Sequence, residues 1–130
     1  MIGQGSELVI KLRPDPYTGD LTLTRLTSEL RDVLLELDVD AVERVVAPQV
    51  SAVAKGYHLE TGVLMVRFAL GPDLLQSVVS SVRRWADRRQ RLCSAVELTL
   101  DGDSLEITGP HSAAQERVVD LWIARHTSLE

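Results

Sequence analysis

From Glu7 to Leu12 the chain alternates, with Leu8, Ile10 and Leu12 separated by polar or smaller residues, which is the period of a half-buried strand. Pro14-Asp15-Pro16 and Thr18-Gly19-Asp20 then supply turn-prone backbone, after which Leu23, Leu26, Leu30, Val33, Leu34 and Leu37 recur at steps of three and four. That spacing predicts an amphipathic helix running to about Leu37. Val42, Val45 and Val46 favour a second strand over Asp40 to Ala47, ended by Pro48, with Gln49 to Gly56 as a loop. Gly62 to Leu70 is apolar nearly all round, so periodicity does not separate a buried helix from a buried strand; helix is the expectation here.

Gly71-Pro72-Asp73 signals a helix start, because proline suits the first helical position and aspartate complements the positive end of the dipole. Leu74, Leu75, Val78, Val79, Val82, Trp85 and Ala86 then fall on one helical stripe. Ser94 to Leu100 and Ser104 to Thr108 are strand-like runs joined by Asp101-Gly102-Asp103, a hairpin signal, with Leu98, Leu100, Leu105 and Ile107 on the buried side. Ser112-Ala-Ala-Gln115 has the form of a capping box and opens a last helix through Val118, Val119, Trp122 and Ile123 to about His126.

Each amphipathic helix must bury its stripe against something, and a sheet offers the surface. The order of elements therefore predicts a single α+β domain over 1–127, a small two-layer sandwich. Its mixed sheet of about four strands includes the hairpin of the C-terminal half and is packed by three or four helices. In this fold Leu74, Val78, Val82 and Trp85 pack with Val118 and Trp122 against strands carrying Ile10, Leu98 and Ile107. The tail 128–130 ends in Leu129-Glu130, which reads as a cloning remnant and receives no functional weight.

Composition narrows the function. With 130 residues, 45% hydrophobic and 25% charged, the chain is long enough and mixed enough for one globular core, and an aromatic fraction of 4% leaves that core mostly to valine, leucine and alanine. A net charge of −5 argues against nucleic acid as the main partner, since such affinity rests on Lys and Arg neutralising phosphates. The single cysteine, Cys93, forms no internal disulfide, and the first residues lack the basic and apolar regions of a secretory signal, so a cytoplasmic location is expected. The apolar stretch from Gly62 to Val82 is interrupted by Arg67, Gly71, Pro72, Asp73 and Gln76, which speaks for core rather than membrane.

Few residues suggest chemistry. Cys93, His58, His111 and His126 are isolated from one another, so no metal or cofactor is expected. His58 and Glu60 read as a polar pair at a loop edge, and His126 as a cation favoured by the end of the last helix. Gly3-Gln-Gly5 precedes the first strand and so lacks the setting of a nucleotide loop. Cys93 follows Arg88, Arg89 and Arg91, whose charge could lower its pKa; a small thiol-dependent enzyme or sensor is one alternative function. Arg83, Arg84, Arg88 and Arg91, with Asp87 among them, project opposite the apolar stripe, while Arg89 points back toward it. This basic patch is either a solvated face or a docking surface for an acidic segment, with a nucleic-acid-binding module as a further alternative.

The stretch from Lys55-Gly56 through Arg83-Arg84-Trp85-Ala86-Asp87-Arg88-Arg89, followed by Val96-Glu97-Leu98 and Asp101-Gly102-Asp103-Ser104-Leu105-Glu106-Ile107, resembles the effector-associated constant component family. Ala114-Gln115-Glu116-Arg117-Val118-Val119 resembles it too, so the likeness covers roughly Gly56 to His126. Members are small proteins or domains, common in actinobacteria, encoded beside caspase-like or trypsin-like proteases and regulatory NTPases in bacterial conflict systems. The resemblance implies a non-catalytic adaptor or signalling component whose partner is an effector protease or regulatory NTPase. Twelve arginines against two lysines are consistent with the GC-rich genomes of that group. The expected docking residues remain Arg83, Arg84, Arg88 and Arg91, and self-association is left open.

Overall fold

A computed structural model describes residues 6–48, 57–69, 71–108 and 112–127. The chain runs β1 (Ser6–Pro14), α1 (Asp20–Leu35), β2 (Ala41–Pro48), β3 (Tyr57–Phe68), α2 (Pro72–Arg88), β4 (Cys93–Leu100), β5 (Asp103–Thr108) and α3 (Ala113–Thr127). The strands form one sheet in the order β2-β3-β1-β4-β5, with every pairing antiparallel. The α+β class read from the sequence is the observed one. The sheet differs in detail: it has five antiparallel strands in place of a mixed sheet of about four. The extra strand is β3, which occupies the stretch expected to be helical.

β3 reveals why its period was unreadable. Leu64, Val66 and Phe68 point into the core at every second position, yet Val63 on the opposite face is also buried and Met65 half-buried, so only Arg67 interrupts the apolar run. The strand lies between β2 and β1 near the middle of the sheet, where both faces have close neighbours. Gly62 sits at φ +84, where the register against β2 slips between Arg44 and Val46, and a Cβ there would lie 3.4 Å from the Leu23 side chain of α1. A β-branched residue pays for left-handed backbone with a clash against its own carbonyl. Gly62→Val is therefore expected to lower the unfolding free energy by about 1–2 kcal/mol in urea titrations. An unchanged midpoint would show that the strand relaxes around the substitution.

One face of the sheet carries the core. Leu8, Ile10 and Leu12 of β1 stand beside Leu64, Val66 and Phe68 of β3 on one side and Val96, Leu98 and Leu100 of β4 on the other, all buried. Over them pack Leu26, Leu30 and Leu34 of α1, Val78, Val82 and Trp85 of α2, and Val119, Trp122 and Ile123 of α3. Fully burying each such side chain contributes about 1.5–3 kcal/mol before the entropy cost of ordering it. Trp122 takes its expected place, but Val118 is 53% exposed and Val119 replaces it in the core. The β4–β5 turn is of the mirror-image two-residue kind, with both Asp101 (φ 53) and Gly102 (φ 78) in the left-handed region.

Among the described residues, no helix covers the other face. Its central side chains are Val9 and Met65, side by side in register, and five of its charges are paired across strands: Glu7 with Arg67 at 3.2 Å, and Arg13 with Glu97 at 3.2 Å and Glu106 at 3.6 Å. On the outer strands, helix side chains reach backbone acceptors. Arg31 Nε donates to the Val42 carbonyl at 2.9 Å, and Gln115 Nε2 to the Thr108 carbonyl at 3.0 Å. No helix among the described residues is long and apolar enough to cross a membrane. The expected loop at Gln49 to Gly56, together with Gly3-Gln-Gly5, His111 and Leu129-Glu130, lies outside the described residues.

Candidate docking surface

The arginine-rich end of α2 follows from two local facts. The helix buries Leu75, Val78, Val79, Val82, Trp85 and Ala86 in the core, so residues between those positions face outward. It stops at Arg88, where Arg89 leaves helical geometry and donates its N–H to the Ala86 carbonyl at 3.0 Å. A turn over 89–92 follows, closed by the Cys93 N–H on the Arg89 carbonyl at 2.8 Å. Arginine at this end of a helix is favoured by the partial negative charge of the terminal carbonyls.

The structure divides the four predicted docking arginines. Arg84 and Arg88 are exposed on α2 and Arg91 is exposed in the turn; among the described residues none of the three has an ion pair. Arg83 is a correction. Its side chain is only 11% exposed and bridges to Glu116 of α3 at 2.8 Å, so it joins two helices instead of facing a partner. Helical projection set it opposite the stripe, but α3 lies along that flank of α2. Arg89 reaches back to Glu29 of α1 at 2.9 Å, as its position on the stripe side implied.

Two exposed residues that the sequence did not single out lie in the turns that meet at this end of α2. The Asp15 N–H donates to the Leu92 carbonyl at 3.0 Å, and Thr18 Oγ1 donates to the same carbonyl at 2.8 Å, which ties the turn after β1 to the turn after α2. Tyr17, in the first of these turns, is 97% exposed, and Leu92 is 39% exposed. Tyrosine and arginine are residue types enriched at protein contact sites. The available signal was a tyrosine placed directly after Pro14-Asp15-Pro16, where the backbone has to turn and expose it.

Cys93 does not have the setting of an activated thiol. It is 2% exposed and donates from Sγ to the Ala95 carbonyl at 3.3 Å. Burial pushes its pKa up, opposed by hydrogen bonds with the backbone of Arg13 and Ala95. Of the arginines before it, Arg89 is committed to Glu29 while Arg88 and Arg91 face solvent, so none of them offsets that rise. The side chains of His58 and Glu60 lie outside the described residues. Among the described residues, no group of three or more His, Cys, Asp or Glu is arranged to hold a metal ion.

A cluster absent from the sequence reading joins the hairpin to α3. One oxygen of Asp103, Oδ2, accepts from Arg125 Nε at 2.9 Å and Nη2 at 2.8 Å and lies 2.8 Å from His126 Nε2, while the Asp103 carbonyl accepts from Trp122 Nε1 at 3.2 Å. The Arg125 hydrogen bonds, with His126 assisting, hold the Asp103 carboxyl below the usual carboxylate range. A depressed folded-state pKa stabilises the fold above the unfolded pKa and loses that contribution as pH falls through the folded value. Below about pH 4, the parent should therefore lose stability more steeply than Asp103→Asn when thermal unfolding is followed against pH. Parallel profiles would show that the cluster does not couple to folding.

Compared with known proteins, the chain matches no family model, no curated protein and no solved structure.

Proposed function

We propose that this chain is a non-catalytic adaptor or signalling component that acts in the cytoplasm and docks onto an effector protease or regulatory NTPase of a bacterial conflict system. The observation that carries the reading is the division of labour among its arginines. Arg13, Arg67, Arg83, Arg89 and Arg125 are committed to carboxylates of the chain itself; among the described residues Arg25 on α1 and Arg117 on α3 are also exposed without an ion pair, but only Arg84, Arg88 and Arg91 gather in that state at one end of α2. With Tyr17 and Leu92 exposed in the adjoining turns, they suit a partner segment that combines carboxylates with an apolar anchor. The resemblance to effector-associated constant components supplies the class of partner.

The test is capture of the product of the neighbouring effector or regulator gene. Reversal of both charges, Arg84→Glu with Arg88→Glu, should weaken binding by about 1–3 kcal/mol, with a normal thermal unfolding profile because both side chains lie off the core. Undiminished capture by the folded double variant would end this reading of the α2 surface. A thiol-dependent activity draws no support from the buried, hydrogen-bonded Cys93.

A further inference from the structure

The helix-free face of the sheet has a built-in charge pattern that one chain leaves incomplete. Glu43 on β2 stands across from Met65 on β3, Met65 across from Val9 on β1, and Lys11 across from Val63 on β3 and from Glu97 on β4, which Arg13 already holds; apolar residues separate Lys11 from Glu43. Lys11 and Glu43 are both exposed, and among the described residues neither has an ion pair, although the other charges of this face do. They are two strands and two residues apart, about 12 Å between Cα atoms, and do not pair within one chain.

We propose that this face is the contact between two copies of the chain. A two-fold axis lying in the plane of the face and crossing β3 between Met65 and Val63 sets Lys11 of one copy over Glu43 of the other, twice. The same operation lays Met65 against Val9 of the second copy, both of them half-buried in one chain. The surface is self-complementary, so the assembly closes at two. The internal pairs of Glu7 with Arg67 and of Arg13 with Glu97 and Glu106 leave the face nearly neutral, which lets two copies of a chain with net charge −5 approach without strong repulsion. Five strands about 4.8 Å apart and roughly six residues long present some 500 Å² each, so the dimer buries on the order of 1,000 Å². That is the lower range of specific interfaces, and it makes the dimer concentration-dependent.

Sedimentation equilibrium on the full chain tests this. The parent should show a monomer–dimer equilibrium. Lys11→Glu and Glu43→Lys should each weaken it roughly tenfold, because each places like charges together at both symmetric contacts, and combining them should restore it. Met65→Lys, checked for folding by circular dichroism and thermal unfolding, should leave a monomer. A parent that remains monomeric throughout would overturn the proposal, as would a dimer indifferent to Lys11→Glu and Met65→Lys. If the parent is monomeric while Met65→Lys loses capture of the neighbouring gene product, the face serves a different protein and the proposal fails in that way. The double variant Arg84→Glu with Arg88→Glu should dimerise normally, which keeps failure of the α2 docking reading distinct from failure of this one.

Discussion

Trp122→Ala is expected to lower the unfolding free energy by about 3–5 kcal/mol. Trp122 is 1% exposed, its ring lies 4.7 Å from that of His126, and its Nε1 donates to the Asp103 carbonyl. Truncation removes the packing, opens a cavity and breaks a bond between α3 and the hairpin at once. Trp122→Phe keeps most of the volume and loses chiefly the hydrogen bond, so it should cost nearer 1 kcal/mol. Urea denaturation of the two variants separates these contributions. A loss below about 1 kcal/mol for alanine would mean that α3 contributes little to the fold.

The second large effect tests β3. Phe68 is completely buried, whereas its neighbour Arg67 points to the open face and pairs with Glu7 at the surface. Phe68→Ala should cost about 3–5 kcal/mol, and Arg67→Ala no more than about 1 kcal/mol, since exposed ion pairs contribute little. Equal losses at the two positions would be incompatible with a strand that has one core face here.

These two residues also show what the sequence can and cannot reveal. Helix α2 was legible because its apolar stripe, Pro72 and Asp73 all point to the same answer, and the β4–β5 hairpin was legible because Asp101-Gly102 satisfies a demand for positive φ that few residues meet. β3 was not, because burial on both faces erases the alternation that identifies a strand, and only Gly62 hinted at a backbone outside helical geometry. At the candidate surface, local sequence identified Arg84, Arg88 and Arg91 as outward-facing. It could not show that Arg83 meets Glu116, that Leu92 is bonded to the turn that holds Tyr17, or that Asp103 gathers Arg125 and His126, because each of those partners comes from a different element. Charge pairing across a fold depends on topology, and helical projection knows only its own helix.

The side chains that reach the outer strands have a consequence for behaviour in a crowded cell. A sheet of this kind ends in two rows of backbone groups, and such rows are where foreign strands attach and fibrils begin. With Arg31 holding the Val42 carbonyl and Gln115 holding the Thr108 carbonyl, a strand arriving at either margin meets an acceptor already engaged. One acceptor on each margin is thereby taken, which works against lateral growth of the sheet at those two points.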